Sequence, residues 1–451
     1  MIQKIPIYLL FIVAVSWDII DFLPFRFVMS VGGSQLREID FLVFLLVIFW
    51  ILFAPKNQNN ANRDSSFRLF FFLTIILIIP IFIGIFNGKP ISAVVRDFRS
   101  PLYYFAMIPM ASFFRDQDNT NKFLRVIILM GCVGALIGIS RWYVIGGIDE
   151  FGRARFGFGS MYSTVAWSMF LSIAFLMFRN NSLEHFCLVL FYILFCLVYI
   201  FLANDSRSLY VGTLAGLFFL FIIYRQIKKK KSLLTGSQSK SKAFRVVFLF
   251  VIVGLTVNVI FISFPDIIRE ISSHNNVVRV LYSLYSPEGG ELEYANRTDR
   301  MNAISYAYDL AIENYGFGCG YGDNSFVRLD EKTIQNIVVA RLQNADLFRN
   351  AVEAILFFHN AYAWALARLG LWMSLLFFIT IFTLIFRALK VVYEKENQFD
   401  RVILSGSVAF AIFNLFSGFG GGGFFDFMGA GMIPWLFCLT FLSCPWRKYD
   451  G

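Results

Sequence analysis

Charged side chains are scarce in this 451-residue chain, only 16% of the total, and histidine is scarcer still at three. So little charge, beside 58% hydrophobic and 18% aromatic residues, cannot coat a globule that faces water on all sides. That excludes a soluble enzyme. Cysteine is also sparse, and of the six residues four (Cys132, Cys187, Cys196 and Cys438) fall in apolar runs. Cys444 lies at the end of such a run and Cys319 in a polar stretch, so no disulfide framework is implied. No internal repeat of the kind that marks many transporters is present. The net charge of +10 does not point to nucleic acid: its densest stretch, "YRQIKKKKSLLTGSQSKSKAFR" (224–245), has no reading motif and no interleaved aromatics. It lies between two apolar runs and suits a cytoplasmic anchor.

What the chain does have is apolar runs long enough to cross roughly 30 Å of hydrocarbon, from one end to the other. Hydropathy and the positive-inside rule predict an all-α polytopic membrane protein, one membrane domain over 1–451 with about twelve spans. They fall near 5–23, 39–54, 67–86, 100–114, 123–145, 160–178, 186–202, 207–224, 244–264, 358–386, 402–418 and 428–443. The first run, Ile5 to Leu23, continues into "WDIIDFLPFRF" rather than a small-residue cleavage site and is expected to be retained. Lys4, the basic short loops, Arg447 and Lys448 then share one side, which places both termini in the cytoplasm. The same topology sends the long segment 265–357, between spans 9 and 10, to the outer side. A structureless loop of that length is uncommon, so a folded, partly helical lid is expected. Within it "DRMNAISYAYDLAIENYG" (299–316) carries Met301, Ile304, Tyr308 and Ile312 at helical spacing, a face suited to packing on the membrane domain.

Two glycine-rich stretches need a reading. "YGFGCGYG" (315–322) lacks the Lys-Ser/Thr of a phosphate-cradling P-loop and follows no buried strand, so we take it as a turn that permits close packing. "SGFGGGGFFDFMGAG" (417–431) is expected to be a tight outer turn. Gly134 with Gly138, and Gly212 with Gly216, have the spacing of closely packed helices. Three cationic or titratable residues sit where they are costly. Arg207, in "LANDSRSLYVGTLAGLFFLF", lies at the outer mouth of a span, against the charge rule, as an interfacial anchor or as the receptor of an anion. Arg368, deeper in "ALARLGLW", calls for an acid on a neighbouring helix, with Asp18, Asp21 and Asp426 as candidates. His359 opens the helix that follows the outer segment. It is either a hydrogen-bonded interfacial side chain or a base, for which an ordinary pKa of ~6.5 is suited. Arginines that bind diphosphate bidentately, together with such a base, are what transfer from a lipid diphosphate needs.

Four stretches, in order, resemble the O-antigen ligase and O-antigen polymerase (Wzy-type) superfamily of bacterial glycan-assembly enzymes: "GRARFGFGSMYSTVAWSMFLSIAFLM" (152–177), "SRSLYVGTLAGLFF" (206–219), "NRTDRMNAISYAYDLAIENYGFGCGYGDNSF" (296–326) and "HNAYAWALARLGLWMSLLFF" (359–378). The resemblance implies a GT-C-type fold and a metal-independent, inverting glycosyltransferase in the bacterial inner membrane, with no cofactor. Its donor is a glycan on undecaprenyl diphosphate, and its site faces the periplasm. Carried over by position, Arg207 and His359 match the family's catalytic arginine and histidine, and Arg300, or its neighbour Arg297, the arginine of the outer segment. Arg153, Arg155, Asn360 and Tyr362 fall in the matching stretches and are implied to line the diphosphate or glycan. Implied partners are membrane lipids and other polysaccharide-assembly proteins, such as a chain-length regulator. The chain departs from the family pattern at Tyr315, where a proline often precedes the glycines, and at Arg368, where many members carry an acid. The outer segment and "SRSLYVG" look more like a polymerase of O-antigen or capsule type than a ligase that moves finished glycan to a lipid A core or a protein. A lipid-linked sugar flippase or transporter is a rival reading.

Overall fold

A computed structural model describes residues 28–31, 34–37, 41, 43–48, 65–106, 117–144, 161–178, 183–200, 207–235, 304–305, 307–322, 361–394 and 398–418. Among these the protein is built of long apolar helices: α1 (Ser65–Phe86), α2 (Ile91–Leu102), α3 (Gln117–Val144), α4 (Met161–Phe178), α5 (Leu183–Val198), α6 (Arg207–Thr235), α7 (Ala361–Glu394) and α8 (Gln398–Ser417). A one-turn 3-10 helix, Tyr103–Ala106, follows α2, and residues 304–305 and 307–313 are helical. Stretches within α3, α6, α7 and α8 are long and apolar enough to cross a membrane, Thr120–Ser140, Leu209–Lys229, Ala361–Glu394 and Gln398–Ser417. Shorter apolar helices occupy Phe71–Phe86, Thr164–Phe178 and His185–Val198. These seven coincide with expected spans, whereas those at 5–23, 244–264 and 428–443 lie outside the described residues.

Two details differ from the expectations. Before the span expected at 100–114, α2 begins at Ile91, a helix with charged and apolar residues on different faces, and ends at Leu102 next to Pro101, while residues 107–114 lie outside the described residues. Proline there removes a backbone donor, and the chain tightens into the 3-10 turn. The helices are accompanied by a two-stranded antiparallel hairpin, β1 (Val28–Val31) with β2 (Ser34–Arg37), in the register Val31↔Ser34. Gly32-Gly33 between them is a dipeptide suited to a two-residue hairpin connection.

The core is organised around α8, which packs against α4, α6 and α7. Of its apolar window 89% is buried inside the protein, against 39–44% for the other three long spans, so α8 is the central helix and the others have faces left for lipid. Its middle, "LSGSVAFAIFN", combines small residues with phenylalanines. Gly406 lies against the Leu171 backbone, Trp167 stacks on Phe410 with centroids 6.0 Å apart, and Trp167 Nε1 donates to Ser407 Oγ at 3.3 Å. The expected close packing at Gly212 and Gly216 is found: both face α8, against the carbonyls of Phe413 and Ala409. Gly138 meets the Tyr199 ring.

Candidate functional site

The helix directions bring several chain ends together. α6 starts at Arg207, and Gly212, one and a half turns on, touches Phe413 and Ser417 near the end of α8. The Ala361 amide at the start of α7 donates to the Gly418 carbonyl at 2.9 Å, and Tyr362 Oη donates to the Leu415 carbonyl at 2.6 Å. α4 runs antiparallel to α8, with Trp167 near Ser407 and Phe410, so its Met161 end lies at this mouth too. Helix 307–313 lays Ala307 on Ala363 and Ala367 of α7, with Ile304 and Leu366 beside them. The starts of α4, α6 and α7, the end of α8 and the outer-segment helix therefore share one end of the bundle. The cationic termini, Arg68 of α1, Arg225, Lys228 and Lys229 of α6, and Arg387 and Lys390 of α7, lie away from it.

Among the expected site residues, Arg207 is the first residue of α6 and Tyr362 is half-buried in the first turn of α7. His359, Asn360, Arg300, Arg297, Arg153 and Arg155 lie outside the described residues, as does most of the turn at 417–431. Chain connectivity still bounds them: two residues reach about 7 Å from Ala361 to His359, and four reach about 14 Å from Ile304 to Arg300.

Between these segments lies a joint that the sequence reading placed only in part. "YGFGCGYG" is a close-packing turn as expected, but what it packs into is a broken helix. α7 is interrupted at Gly370, whose φ of 78° and ψ of −179° no other residue adopts readily. Two bonds from the loop bridge the break: Cys319 N donates to the Ala367 carbonyl at 2.9 Å, and Trp372 N to the Gly316 carbonyl at 3.2 Å. Irregular backbone in an apolar helix is tolerated where protein satisfies it in this way. The approach requires Gly318 opposite Gly370, since a Cβ on either would overlap the other strand's backbone. Further along, Tyr321 N donates to the Pro80 carbonyl of α1 at 3.0 Å, and Tyr321 Oη to the Leu77 carbonyl at 3.2 Å. Burial, with Asp97 adding to it, raises the Tyr321 phenol well above its ordinary pKa and keeps it a neutral donor.

A buried ion pair closes the joint. Arg368 Nη2 stands 2.7 Å from Asp97 Oδ2, with the side chains 4% and 3% exposed. The same carboxylate oxygen accepts from Gly322 N at 2.9 Å, and Arg368 Nη1 donates to the Gly320 carbonyl at 3.4 Å. The expected acid partner therefore exists as Asp97 of α2, while the candidates Asp18, Asp21 and Asp426 lie outside the described residues. Hydropathy does not single it out, because 97 falls between the apolar runs at 67–86 and 100–114. The available signal was an acid in "VVRDFRSP", flanked by Arg96 and Arg99, at an apolar boundary.

The outer-segment helix is turned differently from the expectation. Ala307, Leu310 and Ala311 are buried, while Tyr308 and Ile312, expected to pack inward, are half exposed. Alanines let two helices approach closely, and the larger apolar side chains remain outside. The helix ends in a Schellman motif: Gly316 N donates to the Ala311 carbonyl at 2.7 Å and Tyr315 N to the Ile312 carbonyl at 2.9 Å. Tyr315 occupies the left-handed position at φ 55°, which proline cannot adopt. That departure from the family pattern is thus built into the local backbone.

Comparison with known proteins found no match among curated sequences. Residues 192–378 do match a family model described as O-antigen ligase, a region that runs from α5 through α6 and the outer segment to the part of α7 beyond the Gly370 break. This match, over less than half of the chain, supports the resemblance to the O-antigen ligase and polymerase superfamily read from the four sequence stretches.

Proposed function

We propose that the protein is a membrane glycosyltransferase of O-antigen or capsule assembly, a polymerase that transfers undecaprenyl-diphosphate-linked glycan onto the acceptor end of a lipid-linked repeat unit. The observation that carries this reading is the convergence at one bundle end of the starts of α6 and α7 and the outer-segment helix, the elements that Arg207, His359 and Arg300 open or immediately precede. In this reading an acceptor hydroxyl gives its proton to His359 and attacks the anomeric carbon with inversion. The bond from that carbon to the diphosphate oxygen breaks. Arg207 and Arg300, or Arg297, hold the departing diphosphate and stabilise its developing charge. Arg153, Arg155, Asn360 and Tyr362 line the donor or glycan, and no metal takes part. The site faces the periplasm from the inner membrane, and the lipid tail enters sideways between spans.

The description of the matching family favours a second reading, a ligase that moves finished glycan to a lipid A core or a protein. A glycan gel of a deletion strain separates the two, run beside strains restored with wild type, His359→Ala and Arg207→Ala. Cores capped by a single repeat unit identify the polymerase. Long chains that stay on the lipid carrier identify the ligase, and repeat units trapped on the cytoplasmic face a flippase. Both variants are expected to behave as the deletion; glycan assembly that survives both, at normal protein levels, overturns the mechanism.

A further inference from the structure

The exposed surface of the outer-segment helix is divided by chemistry. Counting 100° per residue, Tyr308 and Ile312 lie within 40° of each other on one edge, next to the buried Ala307, Leu310 and Ala311. Asp309 and Glu313 occupy the other exposed edge, a further 100° round. Past the helix end, Tyr315 is 88% exposed and Phe317 about half exposed. For a lid surrounded by water this is the wrong arrangement, with three aromatics and an isoleucine facing solvent along one line.

The apolar edge does not end at the loop. Trp372 Nε1 donates to the Tyr315 carbonyl at 3.3 Å, and from Trp372 an exposed stripe runs down α7 through Leu375, Ile379, Phe382 and Phe386. Its steps of three and four residues mark one face of a helix long and apolar enough to cross a membrane, the face left to lipid. The Trp372–Tyr315 bond joins that stripe to the exposed apolar edge of Tyr308, Ile312, Tyr315 and Phe317 beyond the break at Gly370. Depth agrees. From the cationic end at Arg387 and Lys390 back to Trp372 is about 22–27 Å of helix, nearly the roughly 30 Å of a hydrocarbon core. Trp372 and Tyr315 therefore stand at the level where tryptophan and tyrosine collect, apolar body in the acyl boundary and polar atoms toward the headgroups.

We propose that the outer-segment helix and its glycine turn are docked into the bilayer interface at the Arg207 end of the bundle, with the Tyr308, Ile312, Tyr315, Phe317 and Trp372 edge in the acyl boundary and the Asp309 and Glu313 edge in water. The partner is the lipid surface itself, and the segment is not a lid standing clear of the membrane. This does not depend on the proposed reaction.

The test uses full-length protein in phosphatidylethanolamine and phosphatidylglycerol vesicles. Single cysteines at Tyr308, Ile312, Asp309 and Glu313, introduced as Tyr308→Cys and so on with the six native cysteines replaced, carry spin labels. Their collisions with oxygen, which partitions into lipid, and with a water-soluble nickel chelate are compared. Labels at 308 and 312 are expected to show an oxygen-to-nickel ratio several-fold above those at 309 and 313. Equal ratios, or nickel access at 308 and 312, mean a water-borne segment and overturn the proposal. Exclusion of both probes at 308 and 312 means that protein covers the edge, and also overturns it. A second measurement keeps the native cysteines: quenching of tryptophan emission by brominated lipids should fall in Trp372→Phe, and unchanged quenching counts against the docked position.

Discussion

Arg368 and Asp97 form a buried ion pair near the bundle end, and its value depends on completeness. Taking either charge away leaves the other buried, at a cost of about 3–5 kcal/mol, whereas replacing both with neutral side chains costs far less. Asp97→Ala and Arg368→Met are each expected to lower thermal stability in detergent sharply. The double variant should melt above either single one. If the double loss equals the sum of the singles, the two side chains are not coupled. Tyr315 offers a second residue-level test. Tyr315→Pro removes the amide bonded to Ile312 and forbids φ 55°, so the cap should fail with a loss of about 2 kcal/mol or more. Tyr315→Asn, which tolerates the left-handed region, should keep it. Of these features the sequence disclosed that Arg368 needs an acid, because an arginine at membrane depth is costly. It did not disclose which acid, since pairing across 271 positions is set by how α2 and α7 meet.

At the scale of elements, the joint between the glycine loop and α7 behaves as one unit, because each supplies backbone partners the other lacks. Gly370→Ala places a methyl group against the Phe317 and Gly316 backbone and demands a conformation reserved for glycine. The expected result is displacement of the loop: hydrogen exchange at the Cys319 and Tyr321 amides should rise at least tenfold while amides in α8 stay protected. Unchanged exchange at 319 and 321 would mean that these bonds do not hold the loop. Hydropathy located α3, α6, α7 and α8 because each is long and apolar throughout. It could not mark the break inside α7, which leaves the apolar run uninterrupted. Nor could it orient the outer-segment helix, since the buried Ala307 and Ala311 are less hydrophobic than the exposed Tyr308 and Ile312.

For the whole molecule, the helix directions put Arg225, Lys228 and Lys229 of α6 and Arg387 and Lys390 of α7 opposite the candidate site, as the positive-inside rule requires if that site faces outward. Fusions of a reporter active only outside the cytoplasm are expected to be active within 265–357 and inactive within 225–243. The opposite pattern would invert the protein and place the site in the cytoplasm. For the candidate site, the sequence offers Arg207 and His359 as costly or rare side chains at the ends of apolar runs. Its meeting point was not legible, because it depends on α8 threading between α6 and α7 so that Gly212 reaches Ser417 and Ala361 reaches Gly418. The sequence by itself determined which segments avoid water, because that follows from composition over some twenty residues. Only the tertiary structure decided which apolar faces meet protein and which meet lipid. Acyl chains are as apolar as leucine, so that choice turns on shape, on alanine and glycine allowing backbones to touch, and on where buried polar groups find their partners.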